Sequence, residues 1–273
     1  MSSLLQAMPS ERPIVFTGLC DAPVKAGKEL GLALAIQNIL VPSVVYEDKH
    51  VEVYGQTIPR EDLGGDLVDL VAAGRDIVAY VADVSGHGFS AAVLMGMVKT
   101  AVRYGLNLGQ ALPALLDGLN RVLPAVKEPN MYATLAGLRF DGSNEVEYIT
   151  AGHVPLLQYR RRQRDIVRCR SIAQFPLGLF EDAGYMSRRV RYEVGDVFVL
   201  VTDGVVEATD EHEGQFGFER LEQILCDSAE RPLSEIFEAA LAAVTRHGIQ
   251  QDDQTLLLVR ALTSGRQAQA GSM

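Results

Sequence analysis

The sequence predicts an α+β fold, with strands packed in sheets and helix pairs outside, built as one domain. Three observations carry this. Apolar runs with β-branched and aromatic residues alternate with amphipathic stretches in the order β-rich, helix pair, β-rich, helix pair, β. No internal repeat breaks that order. The 273 residues are 48% hydrophobic, enough to bury a proper core and too apolar for global disorder.

The elements follow in chain order. Residues 1–27 are weakly patterned and read as an N-terminal arm, or as a first strand over Ile14–Thr17. From Lys28 to Val41, Leu30, Leu34, Ile36, Ile39 and Leu40 form a helical stripe that Pro42 stops. Val44–Tyr46 and Val51–Tyr54 read as strands, the second ending at Gly55. Leu67–Val71 and Ile77–Ala82 are apolar runs joined by the hairpin turn Gly74-Arg75-Asp76. A helix follows Gly88, with Ala91, Leu94, Met95, Val98, Ala101 and Val102 on its apolar face. A second helix runs from about Gln110 to Leu123 and ends at Pro124. Residues 131–201 read as a β meander. Helices near Phe218–Ser228 and Ser234–Arg246 precede a last strand, Thr255–Arg260. The tail, 263–273, is small and polar and is expected to be disordered.

Composition narrows the function. Lys plus Arg is 25 against 35 Asp plus Glu, a net charge of −10. Such a chain suits cation binding and not general nucleic-acid binding, which needs clustered cations. Cys20, Cys169 and Cys226 are dispersed, so neither a disulfide framework nor a thiolate zinc site is expected. With no signal peptide and no apolar span, the expected setting is the cytoplasm, away from membranes.

Asp66, Asp83, Asp203 and Asp252 each stand at a strand end, three of them beside glycine or a glycine-rich turn. Any one alone is a common turn former. Four on apolar, central strands can converge. Two carboxylates about 4 Å apart repel by roughly 4 kcal/mol at an effective dielectric of 20, so a converged set needs a cation. All-oxygen donors select Mg²⁺ or Mn²⁺. Water activated between two such ions suits in-line hydrolysis of a phosphate ester. The chain has no Gly-x-x-x-x-Gly-Lys loop, no Gly-x-Ser-x-Gly elbow and no cysteine phosphatase loop. Gly86-His87-Gly88-Phe89-Ser90-Ala91 fits a dinucleotide fingerprint, but the acidic ribose partner some 20 residues on is missing.

Gly64-Gly65-Asp66, Asp83-Val84-Ser85-Gly86-His87-Gly88, Thr150-Ala151-Gly152-His153, Pro176-Leu177-Gly178, Thr202-Asp203-Gly204-Val205-Val206-Glu207-Ala208 and Asp252-Asp253-Gln254-Thr255 occur in this order. As an ordered set they resemble the PPM metal-dependent protein phosphatases (phosphatase 2C-like), in the bacterial branch of stage II sporulation protein E and RsbU-type regulators. The match covers about residues 28–262. The resemblance implies an αββα sandwich of two antiparallel sheets flanked by antiparallel helix pairs. It implies two Mn²⁺ or Mg²⁺ ions held by Asp66, Asp83, the Val84 backbone carbonyl, Asp203 and Asp252. Asp69 and Asp253 are then expected in the second shell or at a third metal, or as turn caps. The implied activity is a protein serine/threonine phosphatase acting on a phosphorylated anti-anti-sigma-type partner. The alternative is a weakly catalytic, phosphoprotein-binding regulator with the same fold.

Three departures stand out. Leu67-Val68 replaces the usual aromatic pair, Asp62 stands where the eukaryotic branch has a phosphate-holding Arg, and Ser85 replaces its His. His87 is either near the metals or a turn residue, and His153 is expected to be structural. The arginines of 160–170 and 188–191 read as a solvated hairpin or as a docking surface for an acidic protein. Too few residues precede helix 28–41 for a sensor domain. Control would then come from an activating protein or from self-association through this helix, unless the helix only packs on the core.

Overall fold

The computed structural model describes residues 26–169 and 173–263, with side chains from residue 31 onward. The expected arm and first strand, Cys20, Arg170 and the tail from 264 lie outside the described residues. Eleven strands form two antiparallel sheets. The six-stranded sheet has the order β1 (Val44–Glu47), β2 (Val51–Ile58), β11 (Gln254–Ala261), β10 (Val197–Val201), β7 (Leu157–Arg160), β8 (Asp165–Arg168). The five-stranded sheet has the order β3 (Leu67–Ala73), β4 (Asp76–Val84), β5 (Ala133–Phe140), β6 (Glu145–Ala151), β9 (Arg188–Arg191). Helix α1 (Ala26–Leu40) precedes them. Helices α2 (Phe89–Asn107) and α3 (Leu112–Val122) cover the five-stranded sheet, and α5 (Gly217–Ser228) and α6 (Leu233–His247) cover the other. This is the αββα sandwich.

Side-chain alternation builds the layers. In β10, Phe198 and Leu200 enter the core between the sheets, while Val197, Val199 and Val201 face α5 and α6. In β4, Ala79 and Val81 point between the sheets, and Val78, Tyr80 and Ala82 point at α2. Both faces of these strands are buried, so they read as continuous apolar runs and not as alternating ones.

Two expectations need correction. β2 does not end at Gly55 but continues to Ile58. A Cβ at Gly55 would meet Leu257 Cδ1 at 2.5 Å and Val68 Cγ2 at 3.0 Å. The glycine is there for sheet-on-sheet approach, not to terminate the strand. Residues 131–201 are not a meander either. The chain crosses from β6 to β7 in the other sheet, returns at β9, and crosses again to β10. Strand patterning predicts each run but not its sheet, because a local run does not say which distant strand it will pair with.

The stripe on α1 also differs from its expected role. Leu34 and Leu40 are half-buried, whereas Leu32, Ile36 and Ile39 are 63%, 49% and 77% exposed.

Candidate active site

Antiparallel pairing brings the four aspartates to one end of the sandwich. Asp66 precedes β3 and Asp83 closes β4, so both lie at the same end of the five-stranded sheet. Asp203 follows β10 and begins a single helical turn, α4 (Asp203–Val206). Asp252 lies just before β11, at the matching end of the six-stranded sheet. The two sheets are tied here through Asp66, which is 2% exposed. Its Oδ2 accepts the Thr202 hydroxyl at 2.8 Å and the Thr255 hydroxyl at 2.5 Å, both from the opposite sheet. Thr202 Oγ1 in turn accepts the Thr255 N–H at 3.0 Å. The Thr255 hydroxyl is spent on Asp66, so the Thr57 hydroxyl donates to it at 2.9 Å.

Asp253 organises the loop that carries Asp66. Its Oδ1 accepts the Arg60 N–H at 2.8 Å, and its Oδ2 accepts the N–H groups of Gly65 at 2.8 Å and Asp66 at 3.3 Å. The Val84 carbonyl faces the same loop, since a Cβ at Gly65 would stand 2.6 Å from it.

The electrostatics are those of carboxylates crowded together in a buried place. Burial, then Asp83, pushes the Asp66 carboxyl well above the usual range, against the Thr255 and Thr202 bonds. Burial, then Asp203, Asp252 and Asp253, raises Asp83 to about 7. Burial and Asp252 raise Asp203, although the Gly204 N–H opposes them. Every charged group acting on Asp83 is another carboxylate. Buried, mutually repelling oxygen donors without a basic partner fit a hard divalent ion. Among the described residues no group of three or more Asp, Glu, His or Cys side chains stands close enough together to hold a metal ion.

Asp69 is the exception among the expected site residues. Leu67, Asp69 and Val71 share the β3 face toward α2, opposite to Val68. Its carboxylate accepts Arg103 Nε and Nη2 at 2.7 and 2.6 Å and the Tyr80 hydroxyl at 2.7 Å, with Lys99 Nζ at 3.2 Å. Burial pushes this carboxyl up, but Arg103, Lys99 and Tyr80 outweigh it and hold it below the usual range. Asp69 is thus the centre of a buried ion-pair cluster that ties β3 to α2.

The histidines divide. His153 Nε2 donates to the Val201 carbonyl at 2.8 Å, so Nδ1 accepts the Thr134 hydroxyl at 2.7 Å. Burial lowers its pKa to about 4, so it is a neutral latch between β6 and β10. His87 is 75% exposed, with Nδ1 3.6 Å from Glu61 Oε2. Ser85 Oγ accepts the Tyr132 N–H at 2.8 Å and braces the turn after Asp83.

Sequence reasoning missed the supporting residues. Thr202 and Thr255 sit inside quoted motifs without an assigned role. Glu207, exposed beyond α4, lies in the field of Asp203 and Asp252; burial and these two carboxylates raise its pKa. Its place in the Asp203–Ala208 motif was the available signal. The arginine clusters are largely neutralised by the chain's own acids. Arg160 pairs with Asp165, Arg161 with Glu230, Arg168 with Glu219 and Glu222, and Arg189 with Asp141. This is the solvated-hairpin reading.

A family model described as stage II sporulation protein E (SpoIIE) matches residues 73–262. The chain belongs to the SpoIIE family. Phosphoserine phosphatase RsbU of Bacillus subtilis is 27% identical over 240 residues, which cover 85% of this chain and 70% of RsbU. The SiaA-PP2C domain of Pseudomonas aeruginosa superposes with a TM-score of 0.71, at 25% identity, over 86% of this chain and 97% of that domain. RsbX, solved in complex with magnesium, shares the fold at 18% identity and a TM-score of 0.64, over 80% of this chain and 99% of RsbX. This SpoIIE-family domain is a PP2C-like protein serine/threonine phosphatase.

Losing one threonine hydroxyl should weaken the site without unfolding it. Thr255→Val keeps the shape and removes a bond to a charged acceptor, about 1.5–3 kcal/mol. The Mn²⁺ concentration for half-maximal activity should rise about tenfold or more, read from a metal titration of phosphate release.

Proposed function

We propose that this domain removes phosphate from phosphoserine or phosphothreonine on an anti-anti-sigma-type regulatory protein, using two Mn²⁺ or Mg²⁺ ions. The observation that carries this is the meeting of Asp66, Asp83, Asp203 and Asp252 at one end of both sheets, with only carboxylates acting on Asp83. The phosphoserine phosphatase activity of RsbU supports the phosphoserine part of this reading. Asp66, Asp83, Asp203, Asp252 and the Val84 carbonyl would hold the ions. Bound there, divalent ions supply Lewis acidity at phosphorus and a water nucleophile at neutral pH.

The chain's own residues do the rest. Thr202 and Thr255 aim Asp66 by donating to one of its oxygens, and they favour its ionised form against the burial that raises its pKa. Asp253 fixes the backbone that presents Asp66. His153, neutral and buried, locks the end of β10 from which Asp203 projects. In the same reading, an activating protein or a second copy controls the enzyme through α1, whose Leu32 and Ile39 are 63% and 77% exposed.

The test is phosphate release from a phosphoserine anti-anti-sigma-type protein with Mn²⁺, with Mg²⁺ and with chelator. Release that needs the metal and is lost in Asp203→Asn is the expected result. Tight binding of the phosphoprotein without release, with both metals in excess, would instead mark a binding regulator.

A further inference from the structure

Gln37, in the last turn of α1, spends its whole side-chain amide on the backbone of one residue. Its Nε2 donates to the Gly64 carbonyl at 3.0 Å, and its Oε1 accepts the Gly64 N–H at 3.3 Å. An amide has one donor end and one acceptor end, so this match fixes its orientation and uses both. Gly64 is pressed from the other side by Asp253, since a Cβ there would stand 2.2 Å from Asp253 Oδ2. The same carboxylate oxygen accepts the N–H groups of Gly65 and Asp66. The Gly64–Asp66 backbone is therefore clamped between the start of β11 and the end of α1.

Among the described residues, the other ties of α1 are at its C-terminal end. Lys99 Nζ donates to the Leu40 carbonyl, and Leu40 packs over Gly96, where a Cβ would be 3.2 Å away. Among the described residues, the polar contact that α1 makes with the Gly64–Asp66 loop is the one through Gln37.

We propose that Gln37 is a positioning residue for Asp66. By holding Gly64 it presets the Asp66 carboxylate for a divalent cation, so it sets cation affinity and not the chemical step. This rests on the reading of Asp66 as a metal ligand.

Calorimetry of Mn²⁺ binding tests it on the full chain, for wild type, Gln37→Ala, Gln37→Leu and Asn38→Ala. Gln37→Leu keeps the bulk on α1 and serves if the alanine variant folds poorly. Loss of two ordinary hydrogen bonds should weaken Mn²⁺ binding by about tenfold in both Gln37 variants, and Asn38→Ala, on an exposed neighbour, should bind as wild type does. At saturating Mn²⁺ the kcat of Gln37→Leu should return to the wild-type value, which a general packing defect would not allow. Wild-type affinity in both Gln37 variants, or an equal loss in Asn38→Ala, would overturn the inference while leaving the metal centre intact. No Mn²⁺ binding by wild type would instead remove the metal reading, and the inference with it.

Discussion

Asp83→Asn should abolish phosphate release and yet stabilise the metal-free protein. Asp83 is the carboxylate on which Asp203, Asp252 and Asp253 all act. For the metal ligand proposed above, its loss should cost at least about 10³-fold in rate, or about 4 kcal/mol of barrier. Without metal the same charge is a burden. Its folded pKa of about 7 lies above the ordinary 3.8. The folded state therefore holds a proton that the unfolded chain releases between those values, and stability falls as pH rises through that window. Asparagine removes the penalty. The metal-free variant should melt about 2–4 °C higher, for about 1 kcal/mol of relieved repulsion. The gain should be larger at pH 8 than at pH 5. Thermal melts in chelator at both pH values check this. A variant that melts lower than wild type at pH 8 would mean that the carboxylates are not electrostatically frustrated.

Gly204→Ala should be the most disruptive single methyl group at the site. A Cβ there would lie 2.0 Å from the Asp253 carbonyl oxygen and 3.2 Å from the Asp252 Cβ. The obstacle is backbone, so α4 or the start of β11 must move. Overpacking of this kind costs about 1–3 kcal/mol. A displacement near 1 Å at Asp203 or Asp252 should reduce kcat about 10²-fold. Gly118→Ala, on α3 with open space around it, is the control, expected to be neutral or slightly stabilising. Equal melting temperatures and activities for the two variants would contradict the close packing of the Gly204 turn against Asp252-Asp253.

Much of the molecule follows from local sequence. The last strand, expected over Thr255–Arg260, is β11, Gln254–Ala261, because an apolar run that follows two aspartates has few other readings. The four aspartates are legible as candidates because each closes or opens such a strand. What local sequence could not supply is long-range pairing. Thr202 and Thr255 meet Asp66 across 136 and 189 residues, and Gln37 meets Gly64 across 27. Nothing in a threonine beside an aspartate says which carboxylate it will serve. Asp69 shows the converse. It lies three residues from Asp66, and alternation along β3 puts it on the face toward α2, where Lys99 and Arg103 wait. The side-chain period of two was available in the sequence and would have separated them. The two sheets were not separable, since β6 and β7 are neighbours in sequence and yet join different sheets.

The most direct test of the account is calorimetric titration of Mn²⁺ into the chelator-treated protein, beside Asp203→Asn. The account predicts saturable binding by wild type that is lost or weakened at least tenfold in the variant, about 1.4 kcal/mol. Wild type and Asp203→Asn binding Mn²⁺ equally, or neither binding it, would contradict the claim that these aspartates form a cation site.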